Sequence, residues 1–228
     1  MVQAALIGCG YWGSKLKKYI EADKHFNLVH VCDSKTDMDK VWPDVEAVII
    51  ATPIHTHYEV TRKALGEGKH VFVEKPLAKT VSQCLELERI AQAKKLVLCV
   101  DYIWMFSERL RKAREIDFGD IKYVDIVILR PKRKGTIEND YWLLGTHALT
   151  MKGMFLSKHP GVCVFRTGGN FRRTTIAILG TKRSLFLDLE GEKDNLKRAI
   201  NYFYQALKGK ARSNVSEAIE ITRALQHK

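Results

Sequence analysis

Short apolar runs alternate with amphipathic, helix-like segments along the first hundred residues. The apolar runs cover 4–7, 27–33, 46–51, 70–76 and 96–100, and helix-like segments cover 14–24, 58–68 and 82–95. Runs this short are typical of β-strands, and helices between successive runs make the strands parallel, with both faces of the sheet covered. The pattern therefore predicts an α/β domain built on a parallel sheet.

A glycine-rich turn directly follows the first apolar run. Gly8, Gly10 and Gly13 have the G-x-G-x-x-G spacing and stand between a strand candidate and a helix candidate. The first glycine permits a tight turn, the second lets the backbone approach a pyrophosphate, and the third lets helix and strand pack closely. Because the helix start offers free N–H groups to an anion, we expect a dinucleotide here, with Tyr11 and Trp12 as loop residues near its phosphates or packed under them.

Asp33 ends the second apolar run, 20 residues after Gly13. An acid at this position accepts hydrogen bonds from the ribose hydroxyls and repels a 2′-phosphate, which favours NAD over NADP. Lys35 could reach such a phosphate and weakens that preference. Ligands of parallel sheets lie beyond the carboxyl ends of the strands, where we also expect the turn 52–57 and the segment 74–76.

Two blocks of the sequence, ALIGCGYWG and VEAVIIATPIHTHYEVTRKALGEGKHVFVEKPLA, resemble the Gfo/Idh/MocA family of NAD(P)-dependent oxidoreductases. That family includes glucose–fructose oxidoreductase and inositol dehydrogenase. The resemblance implies a Rossmann-type domain over residues 1–118, including a crossover helix. It also implies a set of cofactor contacts: Gly8, Gly10, Tyr11, Trp12, Gly13, Asp33, Ser34, Ala51, Thr52, Pro53, His57, Glu74, Lys75 and Pro76.

The second half of the chain is similar to the family's substrate domain, with less identity. Strand candidates cover 121–130, 162–168, 172–179 and 183–189. The resemblance implies that residues 119–228 form a smaller α+β domain with an open, mostly antiparallel sheet, and that the chain is complete and forms a dimer or tetramer. Segment 137–155 looks like the substrate-site helix of a GYWG-type branch associated with sugars and nucleotide sugars. The implied substrate contacts are Lys75, Tyr102, Arg130, Asn139, Trp142 and His147.

Hydride transfer from an alcohol requires a base that removes the hydroxyl proton as the hydride leaves. The resemblance supplies Lys75 as that base and His147 as a second catalytic residue. Burial and a positive nicotinamide would lower the pKa of Lys75 from its usual value of about 10.4. Glu74 either orients Lys75 or opposes this lowering of its pKa. The alternative to a catalytic role is that Glu74 and Lys75 form only a structural salt bridge at the strand end. His147, on an apolar segment, could equally be a core histidine.

Two departures from the family pattern weaken the assignment. Only twelve residues separate Asp33 from Glu46, which predicts a trimmed nucleotide domain. Leu143 stands where many of these dehydrogenases have an aspartate, and Asp140 could replace that partner from one turn further back. The alternative function is therefore a non-catalytic NAD-binding regulator or an assembly subunit.

Charge and cysteine content change this interpretation little. Residues 101–228 hold 24 Lys and Arg against 14 Asp and Glu, so most of the net charge of +12 lies in the second half. This favours an anionic substrate, and the run of Arg130, Lys132, Arg133 and Lys134 is either a solvated loop or a phosphate clamp. Nucleic acid is disfavoured because no recognised binding module accompanies the basic residues.

Five widely spaced cysteines without a CxxC pair favour a reducing cytoplasm, with Cys9, Cys32 and Cys99 serving as small hydrophobic residues. His55 and His57 lack further ligands nearby in the sequence, so we expect no metal. Neither a signal peptide nor a membrane span is predicted, which indicates a soluble protein.

Overall fold

The computed structural model describes residues 1–130, 137–155, 162–167 and 172–226, with side chains left undescribed at 137–141, 143 and 162–167. Two compact units make up the chain. The first comprises Met1–Asp101 and Leu196–Gln226, and the second comprises Tyr102–Asn195.

The first unit is a five-stranded parallel sheet flanked by helices, as the alternation of apolar runs predicts. The strands lie in the order β2-β1-β3-β4-β5. Their bounds are β1 Val2–Ile7, β2 Phe26–Cys32, β3 Ala47–Ile50, β4 His70–Glu74 and β5 Leu98–Asp101. The helices between them are α1 Tyr11–Glu21, α2 Met38–Val41, α3 His57–Gly66 and α4 Val81–Ala93. Strands β3, β4 and β5 are almost wholly buried, which explains their continuous apolar runs.

Two helices from the end of the chain complete the first unit. These are α7 Asn195–Leu207 and α8 Val215–Gln226. Phe203 on α7 stacks on Phe26 with ring centroids 5.9 Å apart and packs against Phe72 at 5.5 Å. Asn214 fixes the loop before α8, because its side chain accepts from the Val100 N–H and donates to the Val100 carbonyl, each at 2.8 Å.

The compact units divide the chain differently from the predicted boundary at 118 and 119. Residues 102–118 lie in the second unit, and Leu196–Gln226 lie in the first. The reason is the apolar face of α7, which packs on the sheet of the first unit. A linear boundary drawn from the sequence cannot represent a chain that returns to its first unit.

The second unit holds a four-stranded sheet in the order β7-β6-β8-β9. Its elements are α5 Glu108–Ala113, β6 Ile121–Arg130, α6 Ile137–Phe155, β7 Val162–Thr167, β8 Arg173–Gly180 and β9 Ser184–Asp188. The pairs β6–β8 and β8–β9 are antiparallel and β6–β7 is parallel. The predicted α+β unit with a mostly antiparallel sheet is therefore confirmed. Its core is formed by inward residues of β6 and β8 together with Leu144, Ala148 and Met151 of α6.

The short connection after Asp33 is trimmed as predicted. It contains only α2 and a 3-10 turn, Trp42–Asp44, before β3 begins. Trp42 is buried and closes this side of the sheet.

The cysteines differ in exposure. Cys32 and Cys99 are buried, as predicted for small hydrophobic residues, whereas Cys9 is exposed in the glycine turn and the prediction for it is wrong. In the described ranges, no helix is both long and apolar enough to cross a membrane.

The aromatic contact of α7 predicts a large effect of Phe203 on stability. Replacing buried Phe203 by alanine should lower the free energy of unfolding by about 3–5 kcal/mol, because the cavity opens between α7 and two strands of the sheet. Phe186→Ala is the matched control: Phe186 is 60% exposed on β9 and its loss should cost about 0.5 kcal/mol or less. Urea unfolding followed by circular dichroism measures both. Equal losses in the two variants would contradict the described docking of α7.

Candidate functional site

The glycine turn between β1 and α1 has the geometry that its sequence predicts. Gly8 has a φ of +91°, and a Cβ there would lie 2.8 Å from the Ala51 carbonyl oxygen. A Cβ on Gly13 would lie 2.1 Å from the Gly8 carbonyl oxygen, so only glycine lets α1 approach the turn this closely. At Gly10, a Cβ would meet none of the described residues within 4 Å, which leaves open space in front of the helix start.

Tyr11 and Trp12 form the first turn of α1 rather than part of the loop. Tyr11 is 61% exposed, and its ring lies nearly parallel to that of Trp12 with centroids 6.2 Å apart. Lys15 Nζ lies 4.4 Å from the Tyr11 ring centroid and 4.6 Å from that of Trp12. These side chains therefore border the glycine turn on its solvent side, and their contact with a cofactor stays a prediction.

Asp33 begins the turn after β2. Its Oδ1 accepts hydrogen bonds from the Lys35 N–H at 2.9 Å and the Thr36 hydroxyl at 3.1 Å. The Lys35 bond is the main reason that the pKa of Asp33 lies below its usual value, with Thr36 adding to it. The carboxylate is thus ionised at neutral pH and held in a fixed orientation beside the glycine turn.

His57 joins the turn after β3 to the turn after β4. The ring is 2% exposed, with Nδ1 lying 2.7 Å from the Pro76 carbonyl oxygen and Nε2 lying 2.8 Å from that of Thr52. Burial lowers the pKa of His57, the charge of Lys75 acts in the same direction, and the two carbonyl contacts oppose both. Since both nitrogens face backbone carbonyls, His57 positions these turns and is not arranged as a metal ligand.

Strands β4 and β5 end in charged residues that are almost inaccessible to water. Glu74 is 5% exposed, Lys75 6% and Asp101 0%, and Glu74 pairs in register with Asp101. The peptide bond between Lys75 and Pro76 is cis. Of these residues, Glu74 and Lys75 are predicted from the sequence and Asp101 is not. The available signal was that an acid closes the fifth apolar run just as Glu74 closes the fourth.

A cavity of about 1170 Å³ opens at the carboxyl edge of the first sheet, and Glu74, Lys75 and Asp101 are not among the residues that line it. The cavity is lined by the glycine turn, by the turns after β2 and β3, and by α3 along most of its length. Lining residues include Gly8, Gly10, Asp33, Ser34, Thr52 and Pro53. Ala51 lies below it, hydrogen-bonded through its N–H to the Ile7 carbonyl at 2.8 Å. An open cradle at Gly10 beside an ionised acid suits a dinucleotide, with a diphosphate at the start of α1 and a ribose at Asp33.

His147 belongs to the second unit, where it borders the buried face of α6. Its ring meets Trp104 edge-to-face, with centroids 6.4 Å apart. Trp142, one turn earlier, is partly buried, and its carbonyl accepts the Thr146 hydroxyl at 3.0 Å. Tyr102 is fully buried. This aromatic packing is typical of a core histidine. A catalytic role for His147 stays a prediction.

Several predicted residues of the second unit lie outside the described side chains. Asn139, Asp140 and Leu143 belong to the part of α6 that is described by its backbone alone, and Lys132, Arg133 and Lys134 lie outside the described residues. Their predicted roles stay predictions.

Arg130 is described, and it forms contacts within the second sheet. Its Nη1 lies 3.1 Å from Glu190 Oε1, and its Nη2 donates to the Thr174 hydroxyl at 2.8 Å. The side chain is 18% exposed. Because Glu190 already compensates the guanidinium charge, the contacts of Arg130 favour a structural role at the end of β6. In the described ranges, no group of three His, Cys, Asp or Glu residues is placed to hold a metal ion.

The family model described as "Oxidoreductase family, NAD-binding Rossmann fold" matches residues 35–102, the segment that includes β3, β4 and the charged strand ends. The chain belongs to the Gfo/Idh/MocA oxidoreductases. Within this family, the chain is 31% identical over 128 residues to a 2,7-anhydro-N-acetylneuraminate hydratase of Mediterraneibacter gnavus, covering 49% of this chain and 34% of the relative.

A second curated protein and a solved structure are also similar to the chain. An uncharacterized oxidoreductase of Schizosaccharomyces pombe is 42% identical over 163 residues, covering 69% of this chain and 41% of the relative. A solved structure of the UDP-N-acetylglucosamine 3-dehydrogenase of Acidithiobacillus ferrooxidans aligns with a TM-score of 0.86 at 18% identity, covering 99% of this chain and 95% of that chain. The structural likeness shows a shared fold. The chain spans about a third of the length of the hydratase of Mediterraneibacter gnavus and about two fifths of the length of the oxidoreductase of Schizosaccharomyces pombe.

Gly13 and Gly10 of the glycine turn should differ in how well they tolerate an added methyl group. Gly13→Ala should lower the free energy of unfolding by about 1–3 kcal/mol or more, because its Cβ would overlap the Gly8 carbonyl. Gly10→Ala, the matched control, should cost about 1 kcal/mol or less, since the space beside it is open and its φ of −73° suits alanine. Urea unfolding of both variants tests this; a larger loss for Gly10→Ala would contradict the described turn.

Proposed function

We propose that the chain is an NAD-dependent oxidoreductase that transfers a hydride between a nicotinamide cofactor and a secondary hydroxyl of a sugar or nucleotide-sugar derivative. The observation that carries the proposal is the edge of the first sheet. There the glycine cradle, ionised Asp33 and buried Lys75 follow the carboxyl ends of β1, β2 and β4. The names of the relatives, which concern sialic acid and UDP-sugar derivatives, support a sugar-type substrate.

The cofactor end of the site supports NAD over NADP. Asp33 is ionised and would bond the ribose hydroxyls, whereas a 2′-phosphate would be repelled. Two cations on α3 also line the cavity, but each has an acidic partner: Arg62 Nη2 lies 3.3 Å from Glu59, and Lys63 Nζ lies 3.7 Å from Asp39. These pairs leave little uncompensated positive charge for an additional phosphate.

Lys75 is the residue that we assign to proton transfer. When bound, the nicotinamide accepts or returns the hydride. Lys75 Nζ takes the proton from the substrate hydroxyl as the hydride leaves, and donates it in the reverse direction. Because Lys75 is 6% exposed, water is largely excluded from this transfer. His57 holds Pro76, the residue after Lys75, against the turn that follows β3. His147 is proposed as a second residue for substrate or proton contact.

The alternative, a non-catalytic NAD-binding regulator or assembly subunit, is favoured by the trimmed segment after Asp33. It shares the cofactor site and differs only in the chemistry at Lys75. A cytoplasmic location, a homo-oligomer and an anionic substrate accompany the main proposal as predictions.

Substitution of Lys75 separates the two functions. NADH and NADPH binding is titrated by fluorescence, and hydride exchange is then screened with sugars, nucleotide sugars and polyols. Lys75→Met should reduce kcat/KM by about 10²–10⁴-fold, because general acid–base catalysis is lost, while NADH binding persists. Lys79→Met, four residues further on, is the matched control and should leave both unchanged.

Two results would contradict the enzyme proposal. One is NADH binding without hydride exchange on any member of the substrate panel, which favours the regulator. The other is full activity in Lys75→Met, which removes Lys75 from the mechanism.

A further inference from the structure

Two carboxyl groups lie side by side at the buried ends of β4 and β5. Glu74 and Asp101 are register partners, and partnered residues of parallel strands direct their side chains to the same face of the sheet. Among the residues that the structure describes, no donor group reaches Glu74 Oε1 or either carboxyl oxygen of Asp101, all of which are buried; the two acids are in contact with each other. Buried carboxylates normally accept several hydrogen bonds, so this pair requires a different explanation.

Two negative charges cannot both be stable in this setting. Burial raises the pKa of Glu74 well above its usual value, and the charge of Asp101 raises it further. Burial also raises the pKa of Asp101, to about 7, although contact with Glu74 and the charge of Lys75 oppose that shift. The contact between the two acids raises the pKa of Glu74 and lowers the pKa of Asp101. Opposite effects of this kind are expected when one carboxyl group of a pair keeps a proton and the other accepts its hydrogen bond.

The surrounding charges fit a pair that carries a single negative charge. The other ionisable group that shifts both carboxyl pKa values is Lys75, which follows Glu74 at the strand end. On α3, His57 is the titratable group whose pKa Lys75 shifts, and burial together with the charge of Lys75 disfavours a further positive charge there. One carboxylate beside one ammonium gives a neutral cluster. Two carboxylates would leave an uncompensated buried charge, which is costly.

We propose that Glu74 and Asp101 share one proton at neutral pH, and that the single negative charge on the pair positions the Lys75 ammonium in the site. The effect on catalysis rests on the proposed function of Lys75, whereas the shared proton does not. Glu74 and Asp101 are positioning residues, because they act through Lys75. A bound oxidised nicotinamide would disfavour the charge on Lys75, so that the neutral amine can take up the hydroxyl proton, and the single negative charge on the pair then stabilises the ammonium that forms.

A shared proton predicts a specific pattern among amide variants. In Glu74→Gln, the amide can donate to Asp101, which then ionises and keeps one negative charge. In Asp101→Asn, Glu74 ionises in the same way. Only the double variant Glu74→Gln/Asp101→Asn removes the charge altogether. The two single variants should therefore resemble each other, and the double variant should differ from both by more than the sum of their effects.

The experiment uses the full chain without a substrate. Infrared spectroscopy at pH 7 should show the carbonyl stretch of one protonated carboxylic acid, and that band should disappear in each single variant and in the double variant. The pKa of Lys75 is measured by ¹⁵N NMR of labelled lysine, with Lys75→Met assigning the signal. It should shift little in the single variants and fall by at least about one pH unit in the double variant, where the opposite charge is gone. Glu115→Gln, at an exposed carboxyl group on the surface, is the control and should change neither reading.

Three results would overturn the proposal: the absence of a protonated carboxyl band at pH 7, a Lys75 pKa that falls equally in every variant, or one that does not fall in the double variant. Thermal unfolding checks that each variant folds. If the double variant does not fold, the infrared bands of the unmodified chain and of the single variants still show whether the two carboxyl groups share a proton. Because neither reading requires turnover, an inactive chain that shows both signals would contradict the proposed function alone.

Discussion

The burial of three ionisable groups at the ends of two neighbouring strands is the constraint on which the site depends. Glu74, Lys75 and Asp101 lie where β4 and β5 leave the sheet, almost out of reach of water. Isolated charges in such a place are costly, so the groups have to compensate one another. A proton held between the two acids leaves one negative charge for one lysine. The same burial would keep water away from the proton transfer that we propose for Lys75.

The rest of the first unit places a cofactor cradle at the same edge. Gly8 and Gly13 bring α1 against the turn, and Gly10 leaves space in front of the helix start. His57 connects two of the turns through the carbonyls of Thr52 and Pro76. Since these contacts come from different strand ends, they fix the edge of the sheet as a unit even though the connection after Asp33 is short.

Local signals were sufficient for much of this architecture. The alternating apolar runs located the strands, and the spacing of the glycines and Asp33 located the turns, because these features depend on neighbouring residues. Contacts between distant segments were not accessible in the same way. The return of α7, the engagement of Arg130 by Glu190 and the pairing of Glu74 with Asp101 depend on strand order and register. Cys9 was misread because its apolar neighbours in the sequence do not show that the glycine turn faces solvent.

We propose that the charged ends of β4 and β5 form the reacting end of a nicotinamide site, and a crystal structure of the chain with NADH would test this. We expect the diphosphate at about 3 Å from the N–H groups at the start of α1, the adenosine ribose on Asp33, and the nicotinamide ring beside Lys75 Nζ. A nucleotide bound away from the glycine turn, or a nicotinamide ring pointing away from Lys75, would contradict it.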